Sequence, residues 1–81
     1  MFYTYILQSE KDASFYIGYT SNLEKRLFEH NEGFSRYTKH RRPWKLVYSE
    51  VFDDKSSAIK RERFLKKQKN RSFYNRLINM N

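Results

Sequence analysis

No cysteine stands anywhere among the 81 residues of this chain. Neither a disulfide framework nor a thiolate zinc site can therefore take the place of a packed core. His30 and His40 are the only imidazoles, too few to make a structural zinc site an expectation. A chain of this size buries only about 60–65% of the surface it exposes when unfolded, so what it buries must be dense. Fifteen aromatic residues, seven Tyr and seven Phe plus Trp44, supply that density, because each covers a large area per side chain. The length bounds the reading to one domain over residues 1–81.

Charge is unevenly distributed. Residues 1–34 carry three Lys/Arg against five Asp/Glu, a net of −2, and residues 35–81 carry fourteen against four, a net of +10. A basic region of this kind is the electrostatic footprint of nucleic-acid binding. A solvated lysine-rich helix would read the same way. No apolar run approaches the roughly 20 residues needed to cross a bilayer, and no basic segment followed by an apolar stretch opens the chain. The expectation is a soluble, cytoplasmic protein without membrane contact.

Residues 2–8 and 15–20 are rich in β-formers and read as strands. The polar stretch between them is too short for a crossover, so the pair is antiparallel. Gly18 inside the second strand predicts a bulge or a close backbone approach. Ser21-Asn22-Leu23-Glu24 has the spacing of a capping box and predicts a helix that stops at Gly33. A basic loop over 34–44 leads to a third strand over 45–52. Asp53-Asp54 places negative charge before a helix from about Ser56 to Gln68, and a short helix follows from about Arg71 to Ile78. The order ββαβαα implies an α+β fold, a three-stranded antiparallel sheet flanked by helices.

Some polar residues stand where apolar ones are expected. In the second helix Ala58, Ile59 and Leu65 define an inward stripe, and Glu62 lies on it. A carboxylate there needs a partner: a metal ion, an Arg such as Arg26, another neighbour, or water at the edge. In the first helix Arg26 and His30 share a face near Leu23. Arg26 suits bidentate phosphate contact. His30 reads either as a phosphate or proton-transfer partner or as a helix-edge residue near the C-terminal dipole. Tyr3, Tyr5 and Leu7 share one face of the first strand, and Tyr16, Gly18 and Thr20 share one face of the second.

Together these positions resemble the GIY-YIG nuclease superfamily. Tyr16-Ile17-Gly18 is the second element of its motif verbatim, and Tyr3-Thr4-Tyr5 stands for the first with its Gly and Ile replaced. Tyr5 and Tyr16 are eleven apart, Arg26 follows Tyr16 by ten, and His30 falls one helical turn later. Glu62 matches the metal-binding Glu of the following helix. Tyr5-Ile6-Leu7, Asn22-Leu23-Glu24-Lys25-Arg26 and Arg42-Pro43 further resemble the small stand-alone bacterial members of UPF0213 type. The family's frequent C-terminal active-site Asn has only Asn70 and Asn75 as counterparts, neither in a convincing motif.

The resemblance implies a metal-dependent endonuclease that hydrolyses nucleic-acid phosphodiesters in repair, recombination or processing. It implies catalytic roles for Tyr5, Tyr16, Arg26 and His30, and a single Mg²⁺ (or Mn²⁺) at Glu62. Such an ion keeps several waters and takes one or two carboxylates. Tyr16 would orient the attacking water or take its proton, with Tyr5 in support, and a basic role for a phenol requires a pKa lowered from about 10. Lys39, Arg41 and Arg42 of the loop and Lys60, Arg63 and Lys67 of the second helix would hold the backbone of DNA in preference to RNA. A partner protein supplying substrate targeting is also expected. The competing readings are a non-catalytic nucleic-acid-binding module and a protein-interaction domain with a vestigial site.

Overall fold

Tyr, Thr and Ile dominate the first segment and aromatic residues the second, and a tight polar turn joins them. In the computed structural model, which describes residues 1–80, they form β1 (Phe2–Ser9) and β2 (Phe15–Thr20). The turn closes through Ser9 N–H to Ser14 O at 2.8 Å and Ala13 N–H to Ser9 O at 2.9 Å. The rest of the chain adds α1 (Leu23–Asn31), β3 (Trp44–Phe52), α2 (Lys55–Gln68) and α3 (Arg71–Asn79), with one 3-10 turn at Lys39–Arg41. The sheet is antiparallel in the order β2-β1-β3, as the expected α+β fold requires.

The central strand is covered on both sides, so Thr4 through Leu7 are all buried. Tyr5 and Leu7 face α1 and pack with Trp44, Tyr16, Leu23 and Leu27. Ile6 faces the other way, into a cluster with Ile17, Tyr48, Leu65 and Tyr74 beneath α2 and α3. Thr4 donates its hydroxyl to Ala58 O at 2.7 Å and so ties α2 to the strand. On the β3 side the register shifts between Ile6 and Leu7, which pair with Tyr48 and Leu46, leaving Val47 as the extra residue of a bulge.

Helix starts follow side-chain caps, with one correction to the sequence reading. Asn22, not Ser21, caps α1: its side chain accepts from Lys25 N–H at 3.1 Å. Both residue types are good caps, and the extended backbone at Asn22 decides between them. Asp54 caps α2 by accepting from Ser57 N–H at 2.7 Å. Asn70 caps α3 by accepting from Ser72 and Phe73 N–H, which is the use this counterpart of the family's Asn finds here. Asn75 is exposed on α3. No described helix is long and apolar enough to cross a membrane.

Candidate active site

Strand register sets the first part of the site. Tyr5 on β1 pairs with Gly18 on β2. A Cβ at position 18 would sit 2.6 Å from the Tyr5 hydroxyl and 2.8 Å from Cζ, closer than a side chain allows. Gly18 therefore marks a close approach of a side chain to the backbone. The Tyr5 ring lies over it, directed toward β2, which is an edge strand.

Helix α1 delivers the next residues. His30 is fully buried and uses both ring nitrogens: Nε2 lies 3.1 Å from the Tyr5 hydroxyl and Nδ1 lies 2.8 Å from Thr38 Oγ1. Two hydroxyls satisfy either neutral tautomer. Burial, helped by the Arg26 charge, lowers the His30 pKa to about 4, so the ring is neutral at ordinary pH. The Tyr16 ring stands edge-on to His30 at 4.8 Å and to Trp44 at 6.2 Å. Trp44 in turn donates Nε1–H to Thr38 O at 2.9 Å. Thr38 and Trp44 thus support the imidazole and the phenol from the loop side. Sequence reasoning passed over Thr38 and treated Trp44 only as core material, because both act through contacts distant in the chain.

Arg26 and Glu62 complete the group. Arg26 is half-buried and pairs with Glu29 at 3.1 Å. Burial opposes its charge, but Glu29 and the phenols of Tyr5 and Tyr16 outweigh it, and its pKa is shifted upward. Glu62 reaches the same neighbourhood from α2. Its charge and that of Arg26 both act on the Tyr5 phenol. The Glu62 side chain is 14% exposed, and its ion-pair partner is Lys66 at 3.5 Å, not Arg26. Lys66 is itself half exposed, so the pair is weak and readily exchanged.

The two phenols differ. Burial pushes the Tyr5 pKa up to about 12, reinforced by Tyr16 and opposed only in part by Arg26. Arg26 does lower the Tyr5 pKa, but desolvation raises it by more. Tyr16 is only half-buried, and no hydrogen bond is made by its hydroxyl among the described residues.

Tyr5, Tyr16, Arg26 and His30 therefore form one group, with the Tyr5 ring seated on Gly18, and Glu62 acts on Tyr5 through its charge. The six basic residues expected to hold nucleic acid are all exposed but fall into two sets. Lys39, Arg41 and Arg42 lie in and beside the 3-10 turn, and Lys60, Arg63 and Lys67 lie along the outside of α2. Arg41 is occupied by Asp12 at 3.5 Å.

A family model described as the GIY-YIG catalytic domain matches residues 1–76. The chain belongs to the GIY-YIG family. Among similar proteins is a UPF0213 protein of Staphylococcus saprophyticus, 54% identical over 61 residues that cover 74% of this chain and 73% of the relative. Another is a UPF0213 protein of Clostridium perfringens, 52% identical over 68 residues that cover 83% and 72%. The solution NMR structure of a UPF0213 protein from Bacillus halodurans superposes with a TM-score of 0.60 at 33% identity, over 99% of this chain and 85% of that one. This GIY-YIG domain thus lies in a nuclease superfamily, and its similar proteins carry the UPF0213 name.

Proposed function

We propose that this GIY-YIG domain is a divalent-metal-dependent endonuclease acting on nucleic-acid phosphodiesters, DNA in preference to RNA. The observation that carries the reading is the Tyr5 phenol, which neighbours Tyr16, receives a hydrogen bond from Arg26 and feels the charge of the largely covered Glu62. A binding module has no need of a covered carboxylate acting on a site whose arginine must meet phosphate.

The residues fit a Mg²⁺-class ion. Glu62 is a largely covered carboxylate with one loose cationic partner. Among the described residues no set of three His, Cys, Asp or Glu side chains gathers to enclose a metal. A single carboxylate suits an ion that keeps most of its water and not one that demands four protein ligands. When bound at Glu62, such an ion would supply Lewis-acid polarisation of the phosphate and charge stabilisation for the leaving oxygen.

The chain's own groups take the remaining roles. Arg26, held cationic, neutralises charge gathering on the phosphoryl oxygens. Tyr16, with its hydroxyl uncommitted, orients the attacking water, and as a phenolate it would take the water's proton and become the neutral phenol. Tyr5 stays a neutral phenol and bounds the site. His30 is a positioning residue, because its ring nitrogens are engaged by Tyr5 and Thr38. A protein partner that brings substrate to the site would complement so small a domain.

The test is a cleavage screen over duplex, single-stranded, branched and nicked DNA and RNA with Mg²⁺ or Mn²⁺. Wild type should cleave at least one substrate, and Glu62→Gln should abolish cleavage while leaving binding. Binding without cleavage by wild type on every substrate and with both ions would replace the enzyme with a binding module.

A further inference from the structure

Carboxylates pair with four cations among the described residues: Arg26, Arg41, Arg61 and Lys66. A different arrangement holds where the β1–β2 turn meets the loop before β3. Lys11 donates Nζ to His40 O at 3.1 Å, and Arg42 donates Nε to Lys39 O at 2.7 Å. A carbonyl fixes a cation without cancelling its charge.

Arg42 is seated as well as tethered. A Cβ at Gly33 would fall 2.7 Å from its Nη1, and Gly33 has φ +83°. The glycine that ends α1 is thus also the floor on which the guanidinium rests. Lys39 has neither a side-chain hydrogen bond nor an ion pair among the described residues. Lys11, Lys39, His40 and Arg42, with Asn31 and Pro43, line an open recess of 480 Å³ that no carboxylate borders. Asn31 is a wall and not a ligand, because its amide is committed to Trp44 N and O at 2.6 and 3.0 Å.

We propose that this recess is a second phosphate subsite, which holds a backbone phosphate of the nucleic acid away from the bond to be cut. Its ligand class rests on the nucleic-acid reading above. Pre-fixed, un-neutralised cations lose little freedom on meeting an anion, and Arg42 keeps N–H groups for a two-pronged contact. The recess is also rigidly joined to the candidate active site. His30 and Asn31 are neighbours on α1, and Trp44 bonds both Asn31 and Thr38 while packing against Tyr16. A strand gripped here is set in register with Tyr16 and Arg26. Lys11, from the acidic part of the sequence, belongs to this surface, and Arg41, turned toward Asp12, is not among the residues that line it.

The experiment measures affinity for a fluorescent DNA duplex against salt, with Glu62→Gln as the background so that cleavage does not intervene. Lys11→Gln with Arg42→Gln should weaken binding of all sequences alike. It should lower the slope of log affinity against log salt by about 0.9, the value of one lost phosphate contact. Arg41→Gln should lower it much less. If the double variant fails to fold by circular dichroism, Lys11→Gln alone should still reduce the slope and Arg41→Gln should still not match it. A slope unchanged from the background, or an equal effect of Arg41→Gln, overturns the subsite even where wild type cleaves. A lowered slope in a protein that cleaves nothing upholds the subsite and removes the nuclease reading. Inorganic phosphate shifting the backbone amide signals of residues 39–42, with no such shift on adding duplex, would make the recess a free-anion site and overturn the proposal.

Discussion

On the α2–α3 face of the sheet, Ile6, Ile17 and Leu65 are buried with the rings of Tyr48 and Tyr74. The phenols there finish their hydrogen bonds in structural partners: Tyr74 donates to Leu65 O at 2.6 Å, and Tyr48 donates to Glu50, which also holds Arg61. On the α1 face the buried set is Tyr5, Leu7 and Trp44, and a fully buried imidazole and threonine lie beside it. One face gives its aromatic area to cohesion. The other surrounds a polar cluster with aromatic rings and leaves the Tyr16 hydroxyl without a hydrogen-bond partner among the described residues. A small domain can hold such a cluster because the opposite face carries most of the apolar packing.

Variants on the two faces should therefore separate stability from chemistry. The largest loss of stability is expected from Leu65→Ala, about 2–5 kcal/mol for a fully buried leucine, read by urea denaturation. Cleavage per folded molecule should stay near wild type, and a matching loss of activity would show that the faces are not separable. Arg26→Ala should do the reverse. Cleavage should fall about 10²–10³-fold if the guanidinium meets transition-state charge, while its half-exposed pair with Glu29 adds only about 0.2–1 kcal/mol to stability. Unfolding of Arg26→Ala at wild-type activity would place it among the structural residues.

His30 gives the site face a pH signature. Its folded pKa is about 4, below the usual 6.5, so the fold favours the neutral ring. The stabilisation is complete above about pH 6.5 and is lost as pH falls from there through about 4, by on the order of 3 kcal/mol. His30→Gln should lack this dependence in denaturation measured across that window, and an identical pH profile would mean that the imidazole is not held neutral. Gly18→Ala should cost about 1–3 kcal/mol as an overpacked contact and should also displace Tyr5, whose tyrosine fluorescence and proton chemical shifts would report the move. The smallest effect belongs to the structural face. Tyr74→Phe removes the bond to Leu65 O and should cost about 1 kcal/mol with no change in cleavage.

The elements were legible because each has a local cause: β-formers in short runs, a polar turn too brief for a crossover, and acidic or amide caps ahead of the helices. The start of α1 was misplaced by one residue because Ser21 and Asn22 are both competent caps and only the backbone distinguishes them. For the site, the resemblance and helical spacing name Tyr5, Tyr16, Arg26, His30 and Glu62; the fold packs Tyr5, Tyr16 and His30 together with Arg26 bonded to Tyr5, while Glu62 touches the group only through its charge. What the sequence hid was how each is held. Lys66 as the partner of Glu62 is a plain i,i+4 pair, one of the neighbours the sequence left open beside metal and Arg26, and only the fold selects it. Thr38 and Trp44 could not be assigned at all, since their contacts with His30 and Tyr16 depend on the path of an irregular loop. Burial, which raises the Tyr5 pKa, is likewise a property of the packed layers.

The pairing of Tyr5 with Gly18 makes strand alignment a measuring device. A slip of two residues between β1 and β2 would keep every side chain on its own face and preserve an apolar interior. It would nevertheless put Tyr3 or Leu7 over the glycine, and Tyr5 beneath a residue that has a side chain. Hydrophobic patterning alone tolerates that error. The one position without a Cβ does not, so the alignment that admits the Tyr5 ring is also the alignment that brings its hydroxyl to His30.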